Sequence, residues 1–412
     1  MSSPDAEALR IFLRLVRPQP LADPYPLYTR LRDLAPFLPI RFPGVPTGYV
    51  VSTFASCSAV LRDPAFGPPS QAQLDVLNPG WRDNAFTRCL YRSMVFRSGS
   101  DHRQSRQVAA RHFAPRHLAA YADELGEIAE VLVDRLAGHG PGPVDLVEHL
   151  ALPFAALSLG RLLAIPDEEA ITLGRLARQA GGAFEQFLTV EQRALVAGAG
   201  EELAVRLAAV VASGSGRRDG SGDHLLGRLA AGQGGGDEQD RIGAAILLFG
   251  AGFDSPASMV GLGTRLLLEH PEQAALVAGE AGAAPRAVAE ILRYEPPVQL
   301  VARTALRAAE LGGREIPAGS LVFGLIAAAN RDPAQVKEPE AFDVTRDQVP
   351  TLSFGAGPHY CLGAYLAGLQ GEVLFPRLLQ RYPELRLAGE PVYRAPGSTL
   401  RGLDHLPVYL RS

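Results

Sequence analysis

The chain has 412 residues, enough by length for two or three average domains, and carries 40 Lys and Arg against 44 Asp and Glu, a formal net charge of -4. That balance argues against nucleic acid or an anionic membrane as the main partner. Three cysteines, Cys57, Cys89 and Cys361, are too few for a disulfide framework, so a reducing cytoplasm is the expected location. Residues 1–7 have neither the basic start nor the apolar core of a signal peptide, and the longest apolar stretch, 242–253, is too short to span a bilayer, so no membrane anchor is expected.

Residues 23–65 read as a helix followed by a small sheet around Gly48-Tyr49-Val50-Val51-Ser52. Residues 66–100, rich in Pro, Gly, Asn and Ser, read as a long irregular loop of functional character. From 103 to 210 the pattern is helical, broken at Pro115, at 138–141 and at Pro166. Gly- and Asp-rich stretches at 213–222 and 231–238 predict surface loops. A strongly apolar helix over 241–268 ends near His270-Pro271, and further helices cover 284–294 and 361–380. Residues 301–322 and Phe342 carry the β-branched residues and turn signals of short strands. With no linker and no repeat, the expectation is one domain over 1–412, mainly α with minor β. Its β-rich parts fall at 35–65 and 298–345, and its α-rich core at 100–295 and 361–382.

The most informative run is Phe354-Gly355-Ala356-Gly357-Pro358-His359-Tyr360-Cys361-Leu362-Gly363. Glycines let a backbone turn tightly and approach a large flat ring, and the leading aromatic can cover the sulfur from water. A zinc site needs further Cys or His ligands at short spacing, and none lies nearby. One thiolate in a glycine turn instead suits haem iron, whose other ligands come from the porphyrin; the plainer alternative is a buried structural thiol. The run resembles the signature of the cytochrome P450 family, Phe-Gly-x-Gly-x-His-x-Cys-x-Gly, at every fixed position. The resemblance implies a helix-rich P450 fold with small β-sheets and haem b between a long central helix and the cysteine loop. It makes Cys361 the thiolate ligand, places Phe354 and Gly355 against the haem, and has Gly363 leave room for the ring in the first turn of the next helix.

Haem carries two carboxylates that need cationic or donor partners when buried. His102 and Arg106 lie at i and i+4 on an expected helix and share a face. Segment 94–116 resembles the family's Met…His-x-x-x-Arg…Phe-x-Pro-Arg pattern, whose His and Arg bind the propionates, and Arg303 and His359 match the other two propionate-binding positions. Taken alone, each reads as a surface charge. Glu290 and Arg293, at i and i+3 ahead of Pro296-Pro297, resemble the family's Glu-x-x-Arg motif, with Arg346 as its third member. The resemblance implies a structural trio that fixes the cysteine loop, whereas the isolated pattern marks a solvated helix face.

Ala251-Gly252-Phe253-Asp254-Ser255-Pro256 looks like the family's oxygen-activating stretch, Ala-Gly-x-(Asp/Glu)-Thr, with Ala251 against the haem. Activating dioxygen needs protons, and Asp254 and Ser255 are the candidates to relay them. The alternative is a helix cap, since Asp and Ser favour caps and Pro a first turn. Ser255 stands where Thr is usual and lacks the methyl that restricts χ1. Pro256 has no N–H for the carbonyl of Gly252, so the helix is expected to open there in an exaggerated kink. Thr351 stands where relatives often have His, and no function attaches to it.

By position, the family's substrate contacts correspond to 66–100, to 170–195, to Phe249 and Phe253, to Gln299 and Leu300, and to Thr399. Mostly apolar side chains there imply a largely hydrophobic organic substrate. The leading expectation is a monooxygenase using O2 to hydroxylate or epoxidise such a substrate in secondary-metabolite biosynthesis. Oxidative coupling, nitration and peroxide-driven oxidation on the same scaffold are the alternatives, and a haem-binding sensor or carrier is the non-enzymatic one. No flavin or nicotinamide fingerprint is present, which implies a ferredoxin or flavodoxin with its reductase as electron source. A monomer is expected.

Overall fold

Around one helix, Glu238–Glu269, the helical part of the protein is organised. Its start is set by a capping box: the Asp237 carboxylate accepts from the Asp240 backbone N–H, and the Asp240 carboxylate accepts from the Asp237 N–H. At 32 residues it is long and apolar enough to cross a membrane by length and composition, unlike the shorter stretch read from the sequence, yet 78% of its apolar window is buried inside the protein. It is therefore a core helix, hydrophobic nearly all round because neighbours cover it nearly all round. Helices Leu152–Leu162, Asp167–Ala180, Val190–Ala212 and Ala85–Leu90 pack against it. The computed structural model describes residues 4–41, 46–185, 188–213, 225–232, 236–347, 349–395 and 398–411.

The principal sheet has five strands in the order Phe37–Ile40, Gly48–Val51, Leu321–Leu325, Leu300–Ala305 and Phe66–Gly67. Only Gly48–Val51 and Leu321–Leu325 pair in parallel. The carboxyl-terminal part adds Pro407–Tyr409 between Val144–Asp145 and Arg386–Leu387, and a hairpin of Val392–Tyr393 with Leu403–His405. A helix-rich body with small sheets, as expected, is what results. Breaks in the helical region fall near Pro115, 138–141 and Pro166, where helices Pro115–Ala119, Ala122–Leu136 and Asp167–Ala180 start or stop.

Three expectations are corrected. Residues 66–100 contain helices Gln71–Leu77 and Ala85–Leu90 and a 3-10 turn at Met94–Phe96. The Ser and Asn that read as loop residues are their caps: Ser70 accepts from Gln73 N and Asn84 from Thr87 N. Gly243 supplies the tertiary reason, because a Cβ there would run into the carbonyl of Cys89, so Ala85–Leu90 lies backbone-close on the central helix. Phe342 is in no strand; it packs edge-on against Tyr294. The helix expected from Cys361 begins at Ala364, with Gly363 as its cap residue, so Gly363 precedes the first turn. Of the two expected surface loops, 214–224 and 233–235 lie outside the described residues.

Candidate active site

The cysteine loop is held from several directions. Gly355 and Gly357 adopt positive φ of 71° and 68°, the left-handed region open to glycine. A side chain at Gly357 would also press on the backbone of Leu61, with its Cβ 2.6 Å from that carbonyl oxygen. Gly355 N–H donates to Leu352 O (2.8 Å) and Cys361 N–H to Phe354 O (2.7 Å), which closes the turn. Asn330 braces its entry, accepting from Leu352 N–H and donating to the Ser353 hydroxyl, each at 2.8 Å.

Behind the loop, Glu290, Arg293 and Arg346 come together. Arg293 is fully buried, pairs with Glu290 at 2.7 Å and donates to the carbonyls of Pro339 and Ala341. Arg346 reaches the same Glu290 oxygen at 3.3 Å and donates to the carbonyls of Lys337 and Glu338. The trio thus ties helix Ala283–Tyr294 to the segment that leads into the loop.

On the loop's open side stands a cluster of bases without acids. The rings of His102 and His359 lie 4.1 Å apart, centroid to centroid. Burial, with the charges of Arg303, His102 and Arg106 behind it, pushes the His359 imidazole down to about 3. Burial alone pushes Arg303 down to about 10, and among the described residues its guanidinium donates only to the carbonyl of Ala302. Among the described residues no carboxylate pairs with His102, Arg106, Arg303 or His359. Arg303 is a desolvated cation with no counter-charge, which is costly, and Arg106 beside it is likewise without a carboxylate, so this arrangement is built for an anion that the protein itself does not supply. Cys361 is exposed and yet desolvated: burial raises its thiol, while the Gly363 backbone N–H and Arg106 act in the opposite direction. A Cβ at Gly363 or Gly250 would meet nothing within 4 Å, and Ala251 is exposed. These residues fit a flat ring with two carboxylates and one thiolate-bound metal, the shape and charge of haem.

The central helix supplies the other wall. It runs unbroken through Pro256, so the expected opening does not interrupt the helix. Ser255 Oγ donates to Ala251 O at 2.9 Å. Asp254 is only 3% exposed, and Arg394 Nη1 holds both of its oxygens at 2.5 Å. Arg178 adds a second cation at 3.8 Å, and Arg394 Nη2 caps the Arg178 carbonyl. The two relay candidates are therefore neighbours in the chain with separate partners. Sequence reading missed Arg394 and Arg178, which stand 140 and 76 positions from Asp254, beyond any motif spacing.

Above Ala251 and Ser255 lies a cavity of about 640 Å³. Leu300 and Thr399 are on its wall, together with residues of both short helices in 66–100. Phe249, Phe253 and Gln299 are corrections. The two phenylalanines stack on each other inside the core, and Phe253 abuts Gly174, because they lie on the face of the central helix opposite Ala251. Gln299 turns inward to donate to Pro296 O at 2.6 Å. Glu185, also missed, is a buried carboxylate on the wall that accepts from the Ser398 hydroxyl and from the N–H groups of Thr399 and Leu400. It ties the end of the helix Asp167–Ala180 region to the carboxyl-terminal turn.

The family model for cytochrome P450 matches residues 284–389, the span of the Glu290 trio and the cysteine loop. Over 405 residues the chain is 34% identical to 6-deoxyerythronolide B hydroxylase of Saccharopolyspora erythraea, covering 94% of this chain and 96% of that protein. This chain belongs to the cytochrome P450 family. It is an oxygen-incorporating oxidoreductase of that family, similar also to the P450 monooxygenase PikC of Streptomyces venezuelae, at 30% identity with 95% and 92% coverage. Among solved structures, P450BioI in complex with an acyl carrier protein bearing hexadec-9Z-enoic acid superposes with a TM-score of 0.85, at 28% identity, covering 94% of this chain and 98% of that one. CxnD, a P450 for C–S bond formation in chuangxinmycin biosynthesis, does so at 0.84, with 28% identity and coverage of 97% of both chains. Family membership implies haem with cysteine-thiolate ligation, which the acid-free basic cluster and the Cys361 loop fit.

Proposed function

We propose that this P450 uses O2 and electrons from a ferredoxin or flavodoxin to hydroxylate or epoxidise a largely apolar organic substrate in secondary-metabolite biosynthesis. The observation that carries the reading is the cavity of about 640 Å³, mostly apolar, whose inner wall is Ala251 and Ser255. In this reading haem b is held by Cys361, its carboxylates by His102, Arg106, Arg303 and His359, and its faces by Phe354, Gly355, Gly363 and Ala251. Bound there, thiolate-ligated haem supplies oxygen activation and O–O cleavage. The protein's own part is to orient, to exclude water and to hold protons. Ser255 holds its hydroxyl proton against Ala251 O and must turn it toward the cavity to deliver it. Asp254, a carboxylate held on both oxygens by Arg394, would have to leave Arg394 and take up a proton before it could pass one to Ser255. Leu300 and Thr399 contact the substrate, and Glu290, Arg293 and Arg346 keep the cysteine loop in place. Similarity to 6-deoxyerythronolide B hydroxylase and to CxnD supports the biosynthetic setting, three free cysteines support a reducing cytoplasm, and a monomer is proposed with them.

The test is a reduced, carbon-monoxide-bound spectrum, followed by turnover with a surrogate ferredoxin and reductase. A thiolate spectrum and a product heavier by one oxygen atom are expected. A protein whose iron takes no sulfur ligand would sink the reading. Likeness to CxnD keeps oxidative bond formation as a second reading, distinguished by a product that loses two hydrogens and gains no oxygen.

A further inference from the structure

Among the described residues, two of the four charged side chains on the cavity wall, Arg303 and Arg193, have no carboxylate partner. Asp254 is paired with Arg394, Glu185 is satisfied by Ser398, Thr399 and Leu400, and Arg303 belongs to the haem carboxylates in the reading above. Arg193, in the first turn of helix Val190–Ala212, lines the same cavity at its exposed rim. Among the described residues its guanidinium has neither a carboxylate nor a hydrogen-bond acceptor.

Tyr91 lines the wall within electrostatic reach of Arg193. Its ring is fixed by Trp81 and Phe96, with centroids 5.4 and 4.6 Å away. Asn78 Nδ2 donates to the Tyr91 oxygen at 2.8 Å, so the phenol's own hydrogen is left to donate into the cavity. Burial raises the hydroxyl's pKa, with Asn78 and the Arg193 charge pulling the other way, and it stays protonated at neutral pH. Leu74, Leu77, Phe86, Val95 and Phe184 make much of the remaining wall apolar.

We propose that Arg193 and Tyr91 form an anchor for a carboxylate, and that the substrate is an organic acid whose apolar body runs from this anchor toward Ala251. A neutral ligand seated here leaves the guanidinium to solvent and gains nothing from it, whereas a carboxylate meets a fork of charged donors and a phenol. The proposal rests on reading this cavity as the substrate side of the haem site.

The test uses holoprotein and three probes of equal chain length: dodecanoate, 1-dodecanol and dodecyltrimethylammonium. Binding is read in two ways, by the low-spin to high-spin shift of the haem and by the fluorescence of Trp81, the chain's single tryptophan, which is on the cavity wall. Dodecanoate is expected to bind about ten-fold tighter than the alcohol, the ammonium weakest, as a charge-assisted hydrogen-bond pair dictates. Arg193→Ala should abolish that preference, Arg193→Lys should restore part of it, and Tyr91→Phe should reduce it. Equal affinities for acid and alcohol in the parent overturn the proposal, as does binding of none of the probes, or an Arg193→Ala variant that weakens both alike. The carbon-monoxide spectrum separates the two levels: a parent without thiolate ligation that still prefers the acid by fluorescence removes the haem reading and leaves the anchor standing.

Discussion

Replacing Arg394 by glutamine strands the Asp254 carboxylate inside the protein. Both Asp254 oxygens take 2.5 Å bonds from Arg394, and the side chain is 3% exposed, so water cannot substitute for the lost cation. Removing one partner of a buried ion pair costs about 3 to 5 kcal/mol, because the other charge stays desolvated. Arg178 remains at 3.8 Å and recovers part of this, which sets the expected loss at about 2 to 4 kcal/mol. Urea unfolding of the holoprotein measures it, with the slope against denaturant checked for constancy between variants. Adding Asp254→Asn to Arg394→Gln removes the stranded charge and should recover at least half of the loss, a coupling that two independent sites would not show. If Arg394→Gln costs less than about 0.5 kcal/mol, the level of an ordinary surface change, or if the double variant is no more stable than Arg394→Gln alone, the reasoning about this buried pair is wrong.

Glu295 gives a pH dependence. Burial alone would raise its carboxyl, but Arg401 and Arg265 outweigh burial and hold it below the ordinary carboxylate range. A depressed folded-state pKa contributes stability that is present above the unfolded value and lost as pH falls through the folded one. Acid unfolding should therefore be shallower in Glu295→Gln than in the parent when stability is followed downward from pH about 5, and parallel curves would contradict this. Gly243→Ala drives a Cβ into the Cys89 carbonyl and is expected to cost about 1 to 3 kcal/mol and speed hydrogen exchange over 85–90; unaltered exchange would rule out the close packing. Ser255→Ala should release more peroxide per reducing equivalent than the parent, and equal coupling to product would remove Ser255 from proton delivery.

Much of the site was legible before folding because its chemistry is local. The cysteine loop is a run of consecutive residues whose glycines at 355 and 357 must take positive φ, and Glu290 with Arg293 needs only one helical turn to meet. The helices in 66–100 were not legible, since their caps Ser70 and Asn84 carry the same composition as a loop and only packing on Gly243 distinguishes the two. Nor was it legible which side of the central helix looks into the cavity: a helix apolar on every face has no periodicity to reveal that Ala251 and Ser255 face inward while Phe249 and Phe253 face the core.

By itself, the order of residues determined the cysteine loop, the helix that follows it and the family, all written in contacts a few positions long. Only the tertiary structure decided what becomes of the charges. Arg394 takes Asp254, Glu185 takes the amides of Thr399 and Leu400, and among the described residues Arg193 is left without a carboxylate, because those pairings join segments well over a hundred residues apart that meet only when the core between them is packed.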